Sequence, residues 1–229
     1  MFSSRVPEIW QPNRVTQAFE RLLAKGTRVV DLTESNPTRV GLKYPTDLLN
    51  NFCGEASSVY DPQPRGLLDA RLAVAAHLGL QGLTVDADRV LLATGTSEAY
   101  SLLFKLLCDP GDTVLIPEPS YPLLEYLARL DGIEPVSYPL VYDGAWEIDG
   151  EALWKCVSDR TRALVIVNPN NPTGSFLSEA GYNLISEVCR KYGLALISDE
   201  VFGQYSFDTM AEPVRSVLGK TSDVLTFGL

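Results

Sequence analysis

The apolar positions of this chain fall into short unbroken runs, separated by stretches with helical spacing. Val90-Leu91-Leu92-Ala93, Thr113-Val114-Leu115-Ile116, residues 133–138, Ala163-Leu164-Val165-Ile166-Val167, Leu194-Ala195-Leu196-Ile197-Ser198 and Val224-Leu225-Thr226-Phe227 read as strands. Several are apolar without alternation, the pattern of strands covered by helices on both faces. Between them, residues 97–107, 123–130, 151–157 and 178–192 have helical spacing. Upstream, a helix is predicted from an Asn13 N-cap to Gly26, and another over residues 67–78. An irregular Pro- and Asn-rich stretch, residues 34–64, separates the two. The whole predicts an α/β fold, a mostly parallel sheet with helices on both faces and right-handed crossovers. Ligands of such sheets bind beyond the carboxyl ends of the strands, so residues that carry chemistry are expected just after strands.

Composition narrows the functional classes. The chain has 229 residues, 45% of them hydrophobic, enough for one large domain or a domain plus a small lobe. Its net charge is −10, and Lys and Arg are scattered without a run, which argues against a nucleic-acid or anionic-membrane surface. No apolar stretch approaches the roughly 20 residues needed to span a bilayer. Met1-Phe2-Ser3-Ser4-Arg5 lacks the apolar core of a signal peptide, so a cytoplasmic location is expected. Cys53, Cys108, Cys156 and Cys189 form no CxxC pair and read as reduced thiols. The single histidine, His77, lies in an apolar helical run and reads as a packing residue. Neither a metal site nor a Ser-His-Asp triad is expected from such an inventory.

Four strings carry candidate chemistry. Ala93-Thr94-Gly95-Thr96-Ser97-Glu98-Ala99 places a glycine turn and hydroxyl residues at a helix start. Free backbone N–H groups and the positive end of the helix dipole suit a phosphate there, although an empty helix cap has the same local pattern. Neither a GxGxxG nor a P-loop fingerprint is present. In Pro117-Glu118-Pro119-Ser120-Tyr121-Pro122, three prolines stiffen a turn and fix the direction of Tyr121, which suits either a planar ligand or a cover for the core. Val167-Asn168-Pro169-Asn170-Asn171-Pro172-Thr173-Gly174 is more specific, because simple chain reversal does not require two Asn-Pro steps and a glycine after a strand. Asn171 both donates and accepts in-plane hydrogen bonds. In Ser198-Asp199-Glu200-Val201-Phe202, Asp199 is the first charge after a buried strand. It is costly there unless it meets a cation, or unless it caps a helix.

In this order the four strings resemble the class I/II aminotransferases of pyridoxal-phosphate (PLP) fold type I, the aspartate aminotransferase-like superfamily, over residues 31–229. The resemblance implies that Gly95, Thr96 and Ser97 bind the cofactor phosphate and that Tyr121 stacks on its ring. It implies that Asn171 meets the 3′ oxygen and that Asp199 pairs with the pyridinium nitrogen. An anion at that nitrogen keeps the ring protonated and able to accept electrons from the substrate Cα–H bond. Tyr60 heads a Y-x-x-x-x-G segment whose tyrosine reaches the neighbouring subunit's phosphate, implying a homodimer with shared sites. Thr33-Glu34-Ser35-Asn36-Pro37-Thr38 matches the segment that folds over the substrate, with Asn36 as a candidate contact.

Two departures stand out. Phe202 occupies the position of a tyrosine whose hydroxyl also bonds the 3′ oxygen, so the Schiff base is expected to have a raised pKa; Tyr205 is near enough in sequence to be considered as its replacement. The family's lysine follows a pattern like F-G-x-S-K, and this chain ends Thr226-Phe227-Gly228-Leu229, so the lysine is expected just after Leu229. Lys220 lacks that context. The expected organisation is an N-terminal arm over residues 1–45, an incomplete PLP-binding large domain over 46–229, and no C-terminal domain. The expected function is PLP-dependent transfer of an amino group between an amino acid and a 2-oxo acid, inactive in this length of chain. A non-catalytic PLP- or partner-binding homologue and another fold type I PLP enzyme, a lyase or decarboxylase, are the alternatives. A nicotinamide dehydrogenase is excluded by the missing fingerprint. A sheet cut near a late strand exposes an edge, so the isolated chain is expected to aggregate.

Overall fold

The computed structural model describes residues 3–6, 12–32, 34, 36–54, 58–205, 213–220 and 223–229. They form two compact units, Met1–Pro62 and Gln63–Leu229. The first contains helix α1, Arg14–Ala24, and a 3₁₀ turn, Leu48–Phe52. Asn13 caps α1 as expected, its side chain accepting the Thr16 N–H at 2.8 Å. Gly26, at φ +68°, takes the left-handed conformation that ends the helix.

The second unit holds the sheet. Its elements are α2 (Leu68–Leu80), α3 (Thr96–Leu107), β1 (Thr113–Glu118), α4 (Leu123–Leu130), β2 (Glu134–Tyr142), β3 (Trp146–Ile148), α5 (Gly150–Cys156), β4 (Thr161–Val167), α6 (Glu179–Tyr192), β5 (Ala195–Asp199) and β6 (Thr226–Gly228). The strand order is β3-β2-β1-β4-β5-β6. All neighbours run parallel except β3, which returns antiparallel on β2 with Leu140 opposite Ile148.

The unbroken apolar runs now have a cause. Successive side chains of a strand point to opposite faces, and here both faces are covered. Val114, Ile116, Ala163, Val165, Ala195 and Ile197 pack with Tyr100 and Phe104 of α3 and Leu124 and Ala128 of α4. The alternate residues, Leu115, Leu164, Ile166 and Leu196, pack with Leu153 of α5 and with Tyr182, Ile185 and Val188 of α6. The expected α/β architecture is therefore present, and five of its strands fall where the pattern put them.

Residues 90–93 are the exception. They are not a strand: no described residue pairs with them in a ladder, and the Leu92 N–H instead bonds the Arg65 carbonyl at 3.0 Å. Val90 is extended (φ −92°, ψ 128°), so its local preference is met. Leu91 and Leu92 are 57% and 37% exposed. Strand β3 was not expected; it is short, and Gly144 at φ +77° supplies the turn that folds it onto β2. Among the described residues, no helix is long and apolar enough to cross a membrane.

Candidate active site at the strand ends

From β1 the chain winds outward to β2, then returns past β1 to build β4, β5 and β6 on its other side. The winding therefore reverses between β1 and β4, and a crevice opens beyond the carboxyl ends of strands at such a point. Two of the proline-rich strings lie there. Pro117 and Glu118 belong to β1 itself, in register with Tyr138 and Pro139, rather than to the turn that was expected to hold them. The turn proper is Pro119-Ser120-Tyr121, and Asn168 to Gly174 follows β4. Asn170 ties the two loops together, its Nδ2 donating to the Pro119 carbonyl at 3.2 Å and to Thr173 Oγ1 at 2.9 Å. The peptide bonds before Pro119, Pro169 and Pro172 are cis.

Asn168, 1% exposed, is a strut. The Val214 N–H donates to the Leu177 carbonyl at 3.0 Å, one half of an isolated antiparallel bridge. The other half is supplied by the Asn168 amide, whose Oδ1 accepts the Leu177 N–H at 2.9 Å and whose Nδ2 donates to the Val214 carbonyl at 2.7 Å. This leaves the neighbouring Asn171 half-exposed, with no hydrogen bond from its side chain to a described residue. Asn170 Oδ1 and Ser120 Oγ are buried without partners.

Asp199 ends β5, and it projects to the same face as Ala195 and Ile197, towards α3. It is 6% exposed. Its Oδ1 accepts the Val201 N–H at 3.2 Å and its Oδ2 accepts the Tyr100 hydroxyl at 3.1 Å. Burial pushes its carboxyl above the ordinary aspartate value, and these two donors oppose that rise. No described cation pairs with it. Burial, and next the Asp199 charge, in turn hold the Tyr100 phenol well above its ordinary range, so it is a neutral donor at any physiological pH.

Helix α3 begins at Thr96, with Gly95 as its cap residue; its first intrahelical bond runs from the Ala99 N–H to the Gly95 carbonyl at 3.1 Å. The N–H groups of Thr96 and Ser97 precede that bond and are free of the helix ladder. Glu98 folds back on Thr94, accepting its N–H at 2.7 Å and its hydroxyl at 3.0 Å. Those bonds, backbone first, lower the Glu98 carboxyl below its ordinary value. Tyr121 is 43% exposed beyond β1. Phe202 is 44% exposed and makes an edge contact with the Tyr205 ring, centroids 6.1 Å apart.

Gly95, Thr96, Ser97, Tyr121, Asn171 and Asp199 lie in one unit, Gln63–Leu229. Sequence reasoning missed Tyr100, whose signal was a phenol four residues after Thr96 on an otherwise apolar helix face, and it missed the strut made by Asn168. Tyr60 (91% exposed) and Asn36 belong to the other unit. Asn36 Oδ1 is engaged locally by the Thr38 N–H and hydroxyl at 3.0 and 2.7 Å. Thr33 and Ser35 of the same string lie outside the described residues. Lys220 is paired with Glu179 and lies over the Tyr182 ring, both on α6, which packs on the face of the sheet opposite α3.

A family model described as aminotransferase class I and II matches residues 56–228. An alanine aminotransferase of Mycobacterium tuberculosis is 35% identical over 199 residues, covering 85% of this chain and 46% of that protein. Nicotianamine aminotransferase A of Hordeum vulgare is 37% identical over 166 residues, 71% of this chain and 36% of that one. Among solved structures, an alanine aminotransferase from Pyrococcus furiosus superposes with a TM-score of 0.78 at 28% identity, over 93% of this chain and 55% of that chain. The chain thus spans about half the length of the relatives it matches.

Proposed function

The chain belongs to the aminotransferase class I and II family, and from that premise we propose that it supplies most of the PLP site of an enzyme moving an amino group between an amino acid and a 2-oxo acid. The observation that carries the reading is Asp199. A carboxylate that is 6% exposed, bonded only to neutral donors and set at the carboxyl end of β5 is an anion lacking its counter-ion. A protonated ring nitrogen is the counter-ion that fits. When bound, PLP supplies an electron sink for the carbon whose C–H bond is broken.

The remaining assignments follow from what each group offers. Thr96 and Ser97, with Gly95 before them, present backbone N–H groups and hydroxyls at a helix N-terminus and would hold the phosphate. Tyr121 would lie against the ring from the β1 turn. Asn171, freed from structural duty by Asn168, would hydrogen-bond the 3′ oxygen. Tyr60 would reach the phosphate of a second subunit in a homodimer, and Asn36 would meet the substrate. Phe202 provides no hydroxyl, so Asn171 is the donor to the 3′ oxygen among these residues. Lys220 is not assigned the Schiff-base role, since its amine is already engaged on the far face.

The relatives are named for different compounds, alanine and nicotianamine; the reaction class is what those names share. The test is PLP binding and product analysis with the full-length protein. Saturable PLP binding that Asp199→Asn weakens, and a 2-oxo acid formed only when an amino acceptor is supplied, support the proposal. Release of ammonia or carbon dioxide would move the chemistry to elimination or decarboxylation, and absence of PLP binding by wild type would overturn the reading altogether.

A further inference from the structure

The hydrogen bond between Tyr100 and Asp199 joins two parts of the site, and packing alone does not account for it. One turn further along α3, Phe104 fills the same core at 0% exposed, its ring centroid 5.8 Å from that of Tyr100. A phenylalanine therefore serves this layer, and at position 100 the additional atom is a hydroxyl placed 3.1 Å from Asp199 Oδ2. The donor is itself 2% exposed, so the bond is not shared with bulk water. Its neutrality matters. A lysine or arginine here would cancel the charge of Asp199, whereas a phenol lowers the cost of keeping that charge and leaves it for an incoming cation.

The second oxygen of Asp199 is held by the Val201 N–H at 3.2 Å. Two donors on two different oxygens fix the plane of the carboxylate. Tyr100 also lies four residues after Thr96, on the same face of α3. The helix whose first turn presents Thr96 and Ser97 is thereby tied to the end of the strand that presents Asp199.

We propose that Tyr100 is a positioning residue for the cofactor, fixing the Asp199 carboxylate in register with the ring nitrogen while α3 fixes the phosphate end. This rests on the reading of Asp199 as the partner of the ring nitrogen. Tyr100 touches the carboxylate and not the reacting atoms, so its effect runs through Asp199.

The experiment compares PLP with an analogue in which the ring nitrogen is replaced by carbon, binding each to the full-length protein and to its Tyr100→Phe variant. The phenylalanine ring keeps every apolar contact. Tyr100→Phe should weaken PLP binding about ten-fold, the scale of one hydrogen bond to a charged group, and leave the carbon analogue within about two-fold. In an Asp199→Asn background the same substitution should have no further effect on PLP. Equal weakening of both ligands would mean that Tyr100 only supports the fold of α3, and would overturn the proposal. Unchanged PLP binding by Tyr100→Phe, with Asp199→Asn still weakened, would overturn it too while leaving the Asp199 reading intact. If Asp199→Asn binds PLP as wild type does, both fall. Tyr100→Met, a second hydroxyl-free side chain that adapts to the space, repeats the comparison where the phenylalanine variant does not fold.

Discussion

Replacing Asn168 by alanine removes both hydrogen bonds that complete the Leu177–Val214 bridge. The side chain is 1% exposed, its donor bond to the Val214 carbonyl is 2.7 Å and its acceptor bond from the Leu177 N–H is 2.9 Å. Val214 is 2% exposed, so water does not readily replace the lost donor. Each neutral hydrogen bond contributes about 1 kcal/mol net, and a buried group left unpaired costs about 1–3 kcal/mol. The expected loss is therefore about 2–4 kcal/mol. Equilibrium urea unfolding, followed by tryptophan fluorescence, reads this directly. With a slope of about 2 kcal/mol/M, the midpoint falls by about 1–2 M. Asn168→Asp sharpens the test: it keeps the acceptor for Leu177 but sets a carboxylate against the Val214 carbonyl. A protonated acid restores a donor, so the aspartate variant should gain stability relative to wild type as pH falls, whereas the alanine variant should not. A midpoint shift under about 0.3 M for Asn168→Ala, or aspartate and alanine variants with the same pH dependence, would refute the strut reasoning.

Other consequences follow from the same geometry. Asp199→Asn should bind PLP more weakly yet unfold no earlier than wild type at pH 7 without cofactor. Burial raises the Asp199 carboxyl in the folded state, so the folded protein holds its proton more tightly than the unfolded chain, and wild-type stability declines as pH rises above the ordinary aspartate value of about 3.9; the variant should lose that part of the decline in a thermal-unfolding series across pH. Phe104→Ala, at a site 0% exposed between β1, β4 and α4, should cost about 3–5 kcal/mol in urea unfolding. Gly66→Ala should destabilise measurably, because Gly66 sits at φ +91° and an added Cβ would lie 2.6 Å from Leu92 Cδ1; an unchanged melting temperature would contradict that packing. In native alkylation mapped by mass spectrometry, exposed Cys53 should react first and Cys189 only on unfolding, since Cys189 is 1% exposed and burial pushes its thiol up to about 12.

The sequence by itself determined the layers. Runs such as 163–167 and 194–198 are apolar on every residue because alternate side chains face different helices, and that double demand is written in each run. Caps were equally local: Asn13 and Gly26 close α1 through bonds spanning a few residues. The loop after β4, Asn168 to Gly174, was legible because proline, asparagine and glycine at such density serve no strand or helix.

Pairing was not legible in the same way. Residues 90–93 satisfy strand propensity in full, yet a ladder needs a partner's N–H and C=O groups, which a sequence window does not contain. Nor does local pattern distinguish Asn168, buried as a strut, from Asn171, left available, though the two lie three residues apart. Their difference was decided by Val214, which arrives from 46 residues away in sequence. Tyr100 and Asp199 are 99 residues apart. Their hydrogen bond exists because α3 packs on the face of β5 that carries its odd-numbered residues, a relation fixed by strand order and not by either residue's neighbours in the chain.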